Sequence, residues 1–195
     1  MLRFLNRSIG RLKAIPGCLD IDEMVLNAIA QQSGNFEMCL DLGSGPKPWN
    51  PSGCRRSWGI DLRDFDTPEI RQADLVRDCI PFNDAELDVV TAYDFIEHIP
   101  RLVYADGVRF PFVNLMSEIY RVLRSGGVFV SVTPVYPFSE AFRDPTHVNI
   151  ISYDTFEFYF CGENPLSEMY GFVGRFDCLS QHVQPPYLIT MLVKR

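Results

Sequence analysis

The chain has 195 residues, enough for a single domain with its own hydrophobic core. Hydrophobic residues make up 47% of it and charged residues 22%, which is typical of a globular protein. The formal net charge of −7 disfavours nucleic acid as the main partner, because phosphate binding requires a basic surface.

Cysteine spacing and hydropathy exclude further classes. The six cysteines form no C-x-x-C pair, which argues against zinc and thioredoxin-type sites, and we expect no metal site. Scattered cysteines favour a reducing, cytoplasmic environment. No apolar run reaches the ~18 residues of a membrane-spanning helix. We expect residues 1–19, which alternate basic and apolar side chains, to be a mobile N-terminal segment; peripheral contact with a membrane is the alternative.

Periodicity and turn signals predict helices and strands in a largely alternating order. The predicted elements are a helix over 20–34, strands over 37–43 and 57–63, a weak strand over 70–75, a buried strand over 87–95, a helix over 110–127, a strand over 128–134, a short helix over 152–160, and strands over 174–183 and 186–195. Gly34 and the pair Gly126-Gly127 are expected to end their helices, and Ser152 or Asp154 to cap the short one.

Alternating strands and helices predict a mostly parallel sheet covered by helices on both faces. The last two strands, joined around Pro185-Pro186, are expected to form an antiparallel hairpin. In parallel sheets the ligand lies beyond the carboxyl ends of the strands. The residues that follow each strand are therefore the first candidates for a site.

Acidic residues follow four of the predicted strands: Asp41, Asp61, Asp74 and Asp94. Asp41 precedes Gly43-Ser44-Gly45, and Asp61 stands about twenty positions later, where a carboxylate holds the ribose of a nucleotide. Together these positions predict an adenosine-type ligand.

The residues around the glycines indicate the rest of that ligand. A dinucleotide needs its pyrophosphate at a helix N-terminus, but Asp41 would repel it. Pro46 and Pro48 disfavour a helix there, so we expect only an extended or single-turn link over Pro46 to Arg56. No Gly-Lys-Ser/Thr follows, which excludes a P-loop. A cationic tail removes the conflict, and S-adenosylmethionine (SAM) carries one. An NAD-dependent dehydrogenase is disfavoured for the same electrostatic reason.

Four stretches resemble class I SAM-dependent methyltransferases of the small, Rossmann-like kind: "LDLGSGPKP", "GID", "ADLVRDCIPFNDAELDVVTAYDFIEHI" and "EIYRVLRSGGVFVSVTP". The resemblance covers roughly residues 36 to 135 and implies a mostly parallel seven-stranded sheet with an antiparallel C-terminal hairpin strand. It also implies cofactor contacts: Asp41, Gly43, Ser44 and Gly45 at the methionine end, Asp61 and Leu62 at the ribose, Asp74 and the Leu75 backbone at the adenine, and Asp94 and Phe95 near the sulfonium.

The acceptor side is expected over 136–170, as a lid following the strand at 128–134. His147 is the preferred general base, with Asp144 as its orienter and His98 as the rival base. A purely structural role for each of the three remains open. The Asp-Pro-Thr-His segment resembles methyltransferases of polysaccharide and sugar pathways, which implies O-methylation of a sugar or glycan precursor.

Two alternatives to that function remain open. An apolar acceptor such as a quinone, lipid or secondary metabolite would be favoured by a pocket built from Phe110, Phe112, Phe138, Phe156, Phe158, Tyr159 and Phe160. A SAM-binding regulatory module without catalysis is the other. The oligomeric state cannot be predicted.

Overall fold

The structure, a computed structural model, describes residues 20–30, 36–105 and 107–195. The predicted N-terminal segment and the helix end at Gly34 lie outside the described residues. The helices are α1 (Ile21–Ala30), α2 (Pro111–Val122) and α3 (Thr155–Phe160). The main strands are β1 (Met38–Leu42), β2 (Arg56–Asp61), β3 (Ile70–Gln72), β4 (Leu87–Tyr93), β5 (Leu123–Pro134), β6 (Phe176–Gln184) and β7 (Tyr187–Lys194).

These strands form one seven-stranded sheet in the order β3-β2-β1-β4-β5-β7-β6. The first five strands of that order are parallel, and β7 runs antiparallel to both β5 and β6. This confirms the predicted Rossmann-like class I architecture with its antiparallel C-terminal hairpin. A separate small hairpin pairs Val103–Tyr104 with Val108–Arg109.

Successive side chains of a strand point to opposite sides, so the sheet presents two faces to be buried. Helices cover both of them. On one face Leu40, Val90 and Phe129 pack against α2 and α3. On the other, Val25 and Ile29 of α1 belong to a second core cluster that includes residues of β1, β4, β5 and β7. Both clusters are apolar, so burial on the two faces stabilises the sheet.

Helix α2 is shorter than predicted. It ends at Val122, and the next residue is already extended and begins β5. The expected stop at Gly126-Gly127 is wrong, because both glycines lie within β5. A Cβ on Gly127 would stand 3.0 Å from the Asp88 carbonyl oxygen of β4. The glycine therefore allows close pairing of two strands where their register shifts.

The shorter helical elements differ in detail. Residues Ile96–His98 form a single 3-10 turn after β4. Helix α3 does form, with Asp154 at its N-cap position, but the Asp154 side chain makes no capping hydrogen bond. Instead the Ser152 N–H donates to the hydroxyl oxygen of Thr155, 3.0 Å away.

The link between β1 and β2 contains no helix over Pro46 to Arg56, as predicted. Trp49 covers this part of the sheet instead. Its ring packs edge-on against Tyr93 with 5.3 Å between centroids, and its indole Nε1 donates to Asp22 of α1 at 2.9 Å. One aromatic residue thus joins the first helix, the link and β4.

Within the described residues, no helix combines the length and the apolar character needed to cross a lipid bilayer.

Candidate cofactor and acceptor site

The glycine loop after β1 has the backbone conformation that the sequence anticipates. Gly43 and Gly45 have φ values of +67° and +61°, a region that favours glycine. A Cβ on Gly43 would lie 2.4 Å from Cδ2 of Phe95. Between the glycines, Ser44 is buried and donates its N–H to the Ile60 carbonyl of β2 at 3.0 Å. The fold therefore brings the predicted residues after β1 and β4 together.

Asp41 lies inside the fold rather than on its surface. It is 1% exposed, and its Oδ1 accepts the Thr91 hydroxyl of β4 at 2.9 Å. Its Oδ2 accepts the backbone N–H of Trp49 at 2.8 Å. The carboxylate thus anchors the loop to β4.

Asp61 stands at the end of β2 and joins that strand to the glycine loop. Its Oδ2 accepts the Gly45 N–H at 2.9 Å, and its Oδ1 accepts the backbone N–H of Arg63 at 2.9 Å. Arg63 Nε adds a charged hydrogen bond to Oδ1 at 3.0 Å. Burial by itself raises the pKa of Asp61, but the bonds from Arg63 and Gly45 outweigh it and lower that pKa. The carboxylate is ionised at neutral pH.

The sequence analysis did not predict the ion pair of Arg63 with Asp61, although a basic residue two positions after Asp61 was a signal for it. The Arg63 side chain is 54% exposed and that of Asp61 only 9%, so the guanidinium is the partner that faces water. The guanidinium also lies over the ring of Phe65, 5.0 Å from its centroid.

Leu62, expected at the ribose, exposes 65% of its surface. The residues expected at the adenine, Asp74 and Leu75, lie at the next strand end, where the Leu75 side chain is buried in the core. Asp74 Oδ1 accepts the N–H of Val76 at 3.1 Å and so stabilises its own turn. The Ala73 N–H donates to the Asp61 carbonyl at 3.1 Å, which ties this turn to β2.

Asp94 follows β4 in a left-handed conformation, with φ of +47°. That conformation costs a non-glycine residue about 1–2 kcal/mol, so the surrounding structure must impose it. Its N–H donates to the Val132 carbonyl at 3.0 Å. Burial first, and then the nearby Asp94 carboxylate, raise the pKa of Tyr187. Asp94 therefore lies between the end of β4 and the C-terminal hairpin.

The two candidate bases, far apart in sequence, meet at the same end of the sheet. The N–H groups of Val148 and Asn149 both donate to the Glu97 carbonyl, at 2.9 and 3.0 Å. These bonds clamp the segment after β5 onto the 3-10 turn after β4. As a result the rings of His98 and His147 pack edge to face, with 4.9 Å between centroids.

Hydrogen bonds fix the tautomer of each ring. His147 Nδ1 donates to the Glu140 carbonyl at 3.0 Å. The Thr146 hydroxyl donates to Asp144 Oδ1 at 2.6 Å, so its oxygen accepts from His98 Nδ1 at 3.1 Å. In the neutral rings the lone pair therefore sits on Nε2, the atom that would accept a proton.

Asp144 does not hold His147 as expected. Its Oδ2 lies 4.0 Å from His147 Nε2, too far for a hydrogen bond. The Glu140 carbonyl orients His147 instead, and Asp144 acts on His98 through Thr146. Hydrogen bonds from the Thr146 hydroxyl and N–H lower the pKa of Asp144.

An aromatic cavity of about 440 Å³ lies between α2, α3 and the segment at Arg101-Leu102. It is lined by Arg101, Leu102, Phe110, Phe112, Val113, Ser152, Asp154, Thr155, Phe158, Tyr159, Phe160 and Tyr170. Arg101 Nε donates to Asn149 Oδ1 at 2.6 Å, and Asn149 also binds the turn that carries His98. Of the aromatic residues expected around an apolar acceptor, Phe138 and the fully buried Phe156 are not among the lining residues.

Comparison with known proteins agrees with this architecture. The model of a methyltransferase domain family matches residues 55–131. The fold is that of a class I methyltransferase. One similar solved structure is a SAM-dependent methyltransferase from Clostridium acetobutylicum, with a TM-score of 0.60 and 12% identity, covering 93% of this chain and 95% of that one. Another, from Mesorhizobium loti, has a TM-score of 0.55 and 14% identity, covering 89% and 98%.

The fold also occurs with another chemistry. The cyclase SpnF has a TM-score of 0.58 and 14% identity, covering 89% of this chain and 79% of that one. No curated protein matches the sequence. The family model supports SAM as the cofactor and methyl transfer as the reaction class, and the two methyltransferase structures support the fold. They do not indicate the acceptor.

Proposed function

We propose that the protein is a SAM-dependent methyltransferase acting on a hydroxyl group of a small polar molecule, a sugar or glycan precursor. The observation that carries this proposal is the convergence at one end of the sheet. There an ionised carboxylate, Asp61, is bonded to the glycine loop, and a pair of histidines follows β4 and β5.

The residues around the loop suit SAM. Gly43 and Gly45 let the backbone approach a ligand closely, and Phe95 closes one side. Asp61 would accept the ribose hydroxyls, and the exposed Leu62 would lie beside the ribose. Asp74 and the Leu75 backbone would hold the ring edge, with Asp94 near the sulfonium. When bound, SAM supplies a methyl group on a positively charged sulfur, a charge that Asp41 and Asp94 favour.

Arg63 has to move for this arrangement. Its guanidinium binds the carboxylate oxygens that a ribose would use. The Arg63 side chain is 54% exposed, and the Asp61 carboxylate, 9% exposed, still accepts the N–H groups of Gly45 and Arg63. We therefore expect breaking the ion pair to cost about 1 kcal/mol. A ribose that donates two hydroxyl hydrogen bonds to an ionised carboxylate offsets that cost.

On the acceptor side, His147 would take the proton of the hydroxyl through Nε2, because its Nδ1 is held by the Glu140 carbonyl. His98 is the neighbouring candidate, and Asp144 would position it through Thr146. Segment 136–170 would then cover the acceptor as a lid.

Calorimetric titration with SAM, its demethylated product and NAD tests the cofactor. We expect SAM and the product to bind and NAD not to bind; binding of NAD alone would overturn the proposal. His147→Ala should abolish turnover in an acceptor screen while SAM binding survives. His182→Ala, in the exposed part of the C-terminal hairpin, is the matched control and should retain both.

The aromatic cavity favours a second acceptor class, apolar or phenolic molecules such as quinones. Its walls are mostly apolar, and Arg101 in its lining is linked through Asn149 to the turn that carries His98. A screen that pairs phenols with sugars separates the two. Loss of phenol turnover in Phe158→Ala, with sugars never accepted, would favour this class. SAM binding with no turnover of any acceptor would favour a non-catalytic module.

We further propose that residues 1–195 form a single domain and that the protein is cytoplasmic. The basic residues 1–19 would be the part of the chain that contacts a membrane surface.

A further inference from the structure

Three side chains at the acceptor side form a compact group that the sequence did not suggest. Glu97, His98 and His147 each present one oxygen or nitrogen atom, and these atoms lie within 4.8 Å of one another. Glu97 and His98 are adjacent on the turn after β4, whereas His147 comes from the segment after β5. The clamp between Glu97 and residues 148–149 holds the two segments together.

The chemistry of the group suits a transition metal. Two imidazole nitrogens and one carboxylate are ligands that zinc, cobalt and iron(II) accept, while magnesium and calcium prefer oxygen ligands alone. Three protein ligands leave at least one coordination position for another molecule, as in catalytic sites. The Glu97 carboxylate is 1% exposed, so a cation bound to it would be held away from water.

Each of the three side chains also has a second partner that orients it. The Thr133 hydroxyl donates to Glu97 Oε2 at 2.8 Å. His147 Nδ1 donates to a backbone carbonyl, and His98 Nδ1 binds Thr146. Ligands of metal sites have such outer partners, which fix the ring tautomer and leave the other nitrogen for the ion.

We propose that Glu97, His98 and His147 together bind one first-row divalent cation. Metal–ligand distances of about 2.0–2.2 Å require ligand atoms about 3–3.5 Å apart, so side-chain rotation must draw the group together by about 1 Å. The cation's role rests on the proposed methyltransferase function. A hydroxyl of the acceptor next to the cation has a lowered pKa and releases its proton to solvent. His147 then acts as a ligand, and the cation replaces it as the group that activates the hydroxyl.

Cobalt(II) is the test ion, because its visible absorption reports the ligands. Equilibrium dialysis of untagged protein with Co²⁺ should give one ion per chain, with a spectrum of nitrogen and oxygen ligation. His147→Gln and Glu97→Gln should each weaken binding by more than the ~10–100-fold typical of an outer partner. Thr133→Val should fall within that ~10–100-fold range. His182→Gln and Cys79→Ser control for the remaining histidine and for an exposed thiol.

Each outcome decides the inference. Tight Co²⁺ binding that is lost in the Glu97 and His147 variants, whose melting temperatures stay normal, supports it. No binding, or binding lost only in Cys79→Ser, overturns it. SAM titration is a separate readout: if SAM binds and methyl transfer proceeds in chelator, the cation's role in the reaction fails while the methyltransferase stands. If Co²⁺ binds but SAM does not, the proposed function fails instead.

Discussion

The substitution Asp61→Asn tests the cofactor site most directly, because it keeps the shape of the side chain and removes its charge. In the structure the carboxylate accepts the Gly45 N–H at 2.9 Å and pairs with Arg63. An amide oxygen can still accept the Gly45 bond, but the amide nitrogen then faces the Arg63 N–H that Oδ1 accepts in the wild type. We therefore expect the folded state to lose about 1–3 kcal/mol, from this unsatisfied donor and the lost ion pair.

The effect on SAM affinity should be larger. Hydrogen bonds to a charged group contribute about 1.5–3 kcal/mol each, and the asparagine retains a single neutral acceptor. We therefore expect a loss of about 2–4 kcal/mol after allowing for easier release of Arg63, which is roughly 30- to 700-fold in dissociation constant. Calorimetric titration of SAM into both proteins measures it. Asp64→Asn removes the same charge from an exposed neighbour and should leave the affinity unchanged. Wild-type affinity in Asp61→Asn would refute the ribose assignment.

Two further predictions concern stability. Gly43→Ala should lower the free energy of unfolding by about 2–5 kcal/mol, because of the positive φ and the clash with Phe95. Gly53→Ala has a similar φ of +66° but open space around it, so it should lower that free energy by only about 1–2 kcal/mol. Equal losses in urea titrations would contradict the close contact. Burial raises the pKa of Asp88, but hydrogen bonds from Arg124 and from backbone N–H groups outweigh burial and lower that pKa. Asp88 therefore stabilises the folded state above its unfolded pKa of about 3.9, and this stabilisation is lost as the pH falls below that value. Asp88→Asn should flatten the acid limb of the stability curve; an unchanged limb would show that Asp88 does not contribute.

The sequence predicted the sheet because its strands are short, apolar and bounded by turn residues. Strand β4, six of whose seven residues are buried, is the clearest case. The end of α2 was harder to predict. Its apolar spacing continues to Leu123, and two glycines a few residues later resemble a helix stop. Pairing with β4 overrides this local signal, since the chain gains a strand in the centre of the sheet.

The candidate site could be predicted where its residues follow strand ends, and not where it depends on contacts between segments. Asp61 and the glycines have fixed positions relative to β1 and β2. The meeting of His98 with His147 depends on backbone bonds from residues 148 and 149, which leave no pattern in the sequence. The same is true of the Glu140 carbonyl that orients His147, because any residue supplies a carbonyl.

The missing helix between β1 and β2 has an electrostatic consequence. The first turn of a helix concentrates roughly half a positive elementary charge at its N-terminus, a field that attracts phosphates. Here the chain leaves the glycines through turns and extended residues to Trp49, so no such charge faces the ligand. A sulfonium or ammonium group near the loop would therefore meet no opposing helix dipole, and the Asp41 carboxylate lies buried beside the same loop.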